Sequence, residues 1–204
     1  MDLRELATTT HLGVPLLLSP PAPADADAIY ELVQDPSIPR WTTVPSPYPR
    51  EFADDFVAST AATWEAATTA PPSAAVAGPE LVWAMRVGGR FAGCAGLKRH
   101  GGGTLEIGWW LGVPYRGQGI VTAATALLVT TAFSPDYPLQ ATTVTWHAYL
   151  GNQPSARIAH RLGFRYTGLF TDPDAGPCWS AELHPGDPLT PSTPWTAPGE
   201  PLAA

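Results

Sequence analysis

Two features of the chain carry chemistry before any fold is assigned. The run Arg116-Gly117-Gln118-Gly119-Ile120-Val121 is a glycine-punctuated turn. It joins an alternating stretch, Leu105 to Leu111, to a run rich in Ala, Leu and β-branched residues, Val121 to Phe133. A strand, a tight turn and a helix start leave several backbone N–H groups free at the positive end of a helix dipole. Main-chain donors so arranged suit a phosphate or pyrophosphate; the plain alternative is a glycine-rich turn that binds nothing. The second feature is Glu106, an acid inside the alternating stretch. A carboxylate in an apolar strand is costly unless paired, so it demands either a structural partner or a functional role.

Several chemistries are disfavoured. The chain has no Gly-x-Gly-x-x-Gly and no Gly-Lys-Ser/Thr, which argues against a Rossmann dinucleotide loop and excludes a Walker loop. Cys94 and Cys178 are the two cysteines, and neither has metal-ligand spacing around it. Both are expected to be free buried thiols, and no metal is expected. A net charge of −7 disfavours a nucleic-acid partner. That charge is unevenly spread: Arg86, Arg90, Lys98, Arg99, Arg116, Arg157, Arg161 and Arg165 face only Glu106 and Asp136 in the same segment. A basic segment in an acidic protein suits an anionic ligand. Leu16-Leu17-Leu18 is too short for a leader and is stopped by Pro20-Pro21, and no run reaches membrane-spanning length. A reduced, cytoplasmic protein away from membranes is expected.

The elements that must position these residues can be read in order. Leu12 to Ser19 reads as a strand, Asp25 to Gln34 as a helix with Asp25 and Asp27 near its start, and Ser37 to Pro45 as an irregular loop. A helix follows from Pro49 to about Thr68, with Phe52, Phe56, Val57 and Trp64 on one side. Pro71 to Pro79 is an Ala/Pro loop; Glu80–Val87 and Arg90–Arg99 form a hairpin about Gly88-Gly89. After the central strand and the helix to Phe133 come a strand, Thr142–Ala148, and a helix, Asn152–Leu162, ended by Gly163. Phe164–Phe170 and Pro177–Leu183 close the sheet. The order is β-α-α-β-β-β-α-β-α-β-β, an α/β domain over residues 1–183 with a mixed, mostly antiparallel sheet flanked by helices. Residues 184–204 read as an extended, proline-rich tail, which Trp195 either anchors or merely decorates.

Arg116 to Val121 resembles the Arg/Gln-x-x-Gly-x-Gly/Ala loop of the GNAT superfamily of acyl-CoA-dependent N-acetyltransferases, departing at its last position, where Val121 replaces a small residue. Asn152-Gln153-Pro154-Ser155 and Leu162-Gly163-Phe164 resemble the second half of that family. Ile38-Pro39-Arg40-Trp41 and the Glu106-Ile107-Gly108-Trp109-Trp110 strand point to the RimJ/RimL-type branch. The resemblance spans roughly Leu12 to Leu183.

That resemblance implies a GNAT fold and attack of a neutral amine on the thioester of acetyl-CoA, with no metal. Such chemistry needs a base, an oxyanion site and an acid for the departing thiolate. Glu106 is the candidate base, directly or through a water. Ser155 resembles the serine that protonates the thiolate; the tyrosine used elsewhere in the family is absent, its position being Ala159. The phosphates fall to Arg116, Gly117, Gln118, Gly119, Ile120 and Val121, and the pantetheine arm to Trp110, Leu111, Val113 and Asn152. Asn152 also serves as a helix cap. Trp41 is expected to line the acceptor pocket, and His147 either relays protons or packs. The acceptor is a small-molecule or peptide amine, and the acids of residues 1–80 favour a cationic one. A homodimer is allowed for. The rival reading is a non-catalytic acyl-CoA-binding or regulatory module.

Overall fold

A computed structural model describes residues 2–69, 77–173, 176–191, 193–196 and 200–202. Among the described residues, alternating apolar residues build eight strands: β1 (Leu6–Thr9), β2 (Pro15–Ser19), β3 (Ala77–Val87), β4 (Arg90–Gly101), β5 (Thr104–Leu111), β6 (Thr143–Tyr149), β7 (Arg165–Asp172) and β8 (Gly176–Leu183). They form one sheet in the order β1-β2-β3-β4-β5-β6-β8-β7. Neighbours are antiparallel except β5 and β6, which run parallel and are joined through helix α4 (Ile120–Phe133). The other helices are α1 (Ala26–Val33), α2 (Ser37–Trp41), α3 (Arg50–Thr69) and α5 (Gln153–Arg161).

Period-two alternation sends successive strand residues to opposite faces. On β3, Trp83 and Met85 join the core packed by α4 and α5, while Val82 and Ala84 join the one packed by α1, α2 and α3. Residues of β5 divide in the same way. Leu105, Ile107 and Leu111 lie in the α4/α5 core, and Trp110 packs against the other. Glu106 and Gly108, between these, belong to the face on which Trp110 lies.

The expected element order holds with two additions. Strand β1 pairs with β2 and extends the sheet by one. The segment read as an irregular loop contains a short helix, α2; its Pro39 falls in the first turn, where a missing N–H costs nothing. The first expected strand is shorter than read, since β2 begins at Pro15 and Leu12 is exposed. On α3 the buried stripe is Ala53, Val57, Thr60 and Trp64, at helical spacing, whereas Phe52 is exposed. Most of the expected Pro71–Pro79 loop lies outside the described residues. Gly88 and Gly89 take positive φ, 56° and 76°, as a two-residue hairpin turn requires.

Beyond β8 the chain returns over α5. Trp195 is 1% exposed and packs on Trp146, His160 and Tyr166. The chain passes so close to Gly163 (φ 82°) that a methyl there would strike the carbonyls of Pro188 and Thr190. The aromatic in the proline-rich stretch is therefore an anchor.

Candidate active site

The ladder between β5 and β6 stops at Ile107 opposite Trp146. Both strands continue, β5 to Leu111 and β6 to Tyr149, without pairing to each other. The sheet therefore opens at the carboxyl ends of two adjacent parallel strands, the place where α/β sheets bind ligands. Each strand is followed by a helix start, α4 after β5 and α5 after β6.

The turn into α4 keeps its amides available. Gly119 is the N-cap in left-handed geometry (φ 73°), and no side chain caps the helix. The side chains of the loop turn back onto the protein. Arg116 donates from Nε to the Leu111 carbonyl (3.1 Å) and from Nη2 to Ser37 Oγ (2.9 Å), and Gln118 donates to the Pro114 carbonyl (3.3 Å). Arg116 thus straps the loop to β5 and α2. Val121, where the family motif has a small residue, is buried with Ile120 in the apolar core. The departure at Val121 is absorbed on the protein side, and its N–H still belongs to the first turn.

On α5, Asn152 Oδ1 accepts from the Ser155 N–H at 3.3 Å, the expected cap, with Pro154 lacking an N–H to compete. Trp146 Nε1 donates to Ser155 Oγ at 3.0 Å. An indole nitrogen only donates, so the serine oxygen is an acceptor there and its own proton remains free to be given elsewhere.

Glu106 lies on the opposite face. Its Oε2 accepts from His100 Nε2 at 2.8 Å and lies 3.4 Å from His147 Nδ1. Partial burial alone would raise its pKa, but the two imidazoles outweigh it and hold Glu106 below its ordinary value. Gly96 and Gly108 are register partners on this face. The Glu80 carboxyl lies over Gly96, where a methyl would strike it; burial first, then the Glu106 charge, push its pKa up. His147 stacks on Phe170, rings 4.1 Å apart and 6° from parallel.

Trp41 reaches the other flank. Its ring edge lies 3.5 Å from where a Cβ on Gly151 would be, in the turn between β6 and α5, and Arg40 stacks over the same ring. Among the pantetheine-side residues, Val113 is exposed, Leu111 is buried, and Trp110 leans on Phe91 (5.7 Å). The fold thus gathers the loop, Asn152, Ser155 and Trp41 around one opening, with Glu106 on its far face. Several cations of the basic segment are committed to structure. Arg86 forms a bidentate pair with Asp25 (2.7 Å each), Arg99 is buried against the Leu139 carbonyl, and Arg165 pairs with Asp187.

Two residues near the site have no local sequence signal. His100 meets Glu106 only through the β4–β5 register. His11, in the β1–β2 turn, lies against Gly119 so closely that a Cβ there would be 2.6 Å from its Nδ1. A cavity of about 370 Å³ adjoins it between β1 and α4, lined by Thr8, Thr9, Thr122 and Thr130 among others. Among the described residues no three His, Cys, Asp or Glu side chains are grouped to hold a metal ion, and no helix is long and apolar enough to cross a membrane.

This architecture, a mostly antiparallel sheet that opens between two parallel strands above an uncapped helix start, is that of an acyl-CoA-dependent acyltransferase. Residues 15–165 match the model of the acetyltransferase (GNAT) domain, and the chain belongs to that family. The candidate ribosomal N-acetyltransferase YdaF of Bacillus subtilis (strain 168) is 37% identical over 67 residues, a stretch spanning 33% of this chain and 35% of that protein. Among solved structures, Mycobacterium smegmatis RimJ in complex with CoA-disulfide superposes with a TM-score of 0.70 at 18% identity, over 89% of this chain and 87% of that one. RimL, a ribosomal L7/L12 alpha-N-protein acetyltransferase in complex with coenzyme A, gives 0.67 at 18% identity over 87% and 95%. The microcin C7 self-immunity acetyltransferase MccE, in complex with acetyl-CoA and AMP, gives 0.69 at 18% over 90% and 99%. The fold is shared with RimJ and RimL, the branch that the sequence motifs resemble.

Proposed function

We propose that this protein transfers the acetyl group of acetyl-CoA to a primary amine, either a protein N-terminus or a small cationic amine. The observation that carries the proposal is the opening beyond Ile107 and Trp146. The uncapped loop enters α4 on one face of the sheet and Glu106 lies on the other, an arrangement that supports a donor thioester and an acceptor amine approaching from different faces. CoA or acetyl-CoA bound to RimJ, RimL and MccE supports the donor assignment.

The amides from Gly117 to Val121 hold the pyrophosphate. The Glu106 cluster takes the proton of the amine, and the neutral nitrogen attacks the thioester carbon. Ser155, whose oxygen is held by Trp146, gives its proton to the departing sulfur and is reprotonated as the new amide nitrogen loses its second proton through solvent. Trp41 walls the acceptor side. The two carboxylates on that face, Glu80 and Glu106, favour an acceptor that arrives as a cation.

Thiol release from acetyl-CoA, followed with a thiol reagent across a peptide with a free α-amine, spermidine and an aminosugar, tests the reading. Amine-dependent release is expected. Tight CoA binding with no release for any amine would identify a non-catalytic CoA-binding module instead.

A further inference from the structure

A carboxylate with a lowered pKa is a weak proton acceptor, which raises the question of which atom of the Glu106 cluster takes the proton. His147 is the first residue of β6 beyond the end of the ladder, so it stands at the opening, whereas Glu106 is set back within the paired region. Side-chain exposure rises away from the opening, from 15% at His147 through 29% at Glu106 to 41% at His100. The His147 ring is fixed flat against Phe170. Its Nδ1 is shut off from solvent and has no aligned hydrogen-bond partner among the described residues; Glu106 Oε2 lies 3.4 Å away. Catalytic hydrogen bonds in unliganded enzymes are commonly long and tighten when substrate binds. On the far side, His100 donates to the same oxygen and ties the carboxylate in place.

We infer that His147 is the proton acceptor for the amine, that Glu106 is the carboxylate that orients it, and that His100 is a positioning residue behind Glu106. The inference rests on the acetyl-transfer reading and assigns a step within it. Glu106 takes the Nδ1–H, which fixes the tautomer and leaves the Nε2 lone pair free. The ammonium gives one proton to Nε2, the neutral nitrogen forms the bond to the acetyl carbon, the carbon–sulfur bond breaks as Ser155 protonates the sulfur, and the nitrogen's second proton replaces the one Ser155 gave. The imidazolium, stabilised by Glu106, then returns its proton to solvent.

The groups that face His147 leave this assignment intact. Glu106 comes from β5, with His100 behind it on β4. Ser180 is its register partner on β8, next to Cys178, and Phe170 covers it from β7. Burial raises the pKa of Cys178, and of Tyr149 on the same strand, so both stay neutral near pH 7. Glu80, on β3, faces the Glu106 carboxylate and is opposed there by Lys98.

The test compares wild type with His147→Gln at saturating acetyl-CoA, using a basic primary amine and a weakly basic fluorinated amine that is neutral throughout. The variant should lose roughly 100-fold or more in kcat with the basic amine and only a few-fold with the neutral one, which arrives without the proton that His147 removes. A merely structural role would lower both equally. Calorimetric CoA affinity of the variant should be unchanged. Wild-type turnover by His147→Gln, or equal losses with both amines, would overturn the assignment while leaving acetyl transfer standing. A wild type that releases no thiol with any amine would overturn both.

Discussion

Gly119→Ala tests the phosphate loop at its tightest point. Gly119 caps α4 at φ 73°, where an L-residue costs roughly 1–2 kcal/mol. The new methyl would also sit 2.6 Å and 2.7 Å from two atoms of the His11 ring, with Thr10 Cβ at 3.6 Å. His11 is exposed, so its ring can swing aside and adds little. The stability cost is then mainly the backbone term. At roughly 2–4 °C per kcal/mol for a domain of this size, the melting temperature should fall by about 2–8 °C. The effect on CoA should be larger than on folding. Relief of the strain re-angles the amides, and one lost hydrogen bond to a charged phosphate costs roughly 1.5–3 kcal/mol, or about ten- to a hundredfold in Kd. Scanning calorimetry and CoA titration on the same preparation measure both. Adding His11→Ala should recover little, because the φ penalty remains. A folded Gly119→Ala protein with wild-type CoA affinity would refute the loop as the phosphate site.

Glu106→Gln and Ser155→Ala should each lower turnover by roughly 100-fold or more at unchanged CoA affinity, read from steady-state thiol release and calorimetry. Trp195→Ala removes a fully buried ring beside Trp146 and should cost about 3–5 kcal/mol in denaturant unfolding. Trp195→Phe should cost less, since Trp195 Nε1 is buried without a hydrogen-bond partner among the described residues. Cationic acceptors should show higher kcat/KM than neutral or anionic ones, with values that fall as ionic strength rises. Neutralising Asp55 should weaken that salt dependence more than neutralising Asp54, which already pairs with Arg50 at 2.7 Å.

Elements whose signals are local were legible in the chain. The β3–β4 hairpin announces itself by Gly88-Gly89, α4 by its glycine turn, and α5 by Asn152 at one end and Gly163 at the other. Helix α2 was hidden because Pro39 reads as a breaker, yet in a first turn it removes only an N–H that has no partner. Strand β1 is four residues long and exists by pairing with β2, a non-local cause. Phe52 misled because a large apolar side chain outweighed the smaller Ala53, which points inward. The same division runs through the site. The phosphate loop and the Asn152–Ser155 cap are contiguous in sequence and could be read. His100 beside Glu106, His11 against Gly119 and Trp146 holding Ser155 depend on register and packing between separate elements. Val121 is the converse case, since its departure from the family pattern loses its significance once its side chain is seen in the core.

The most direct test of the account is an experimental structure with acetyl-CoA bound. The pyrophosphate should rest on the amides of residues 117–121, and the thioester should lie in the opening past Ile107 and Trp146, with Ser155 on one side and His147 on the other. Acetyl-CoA seated instead in the cavity between β1 and α4, beside Thr8, Thr9 and Thr122, with the β5–β6 opening empty, would contradict it.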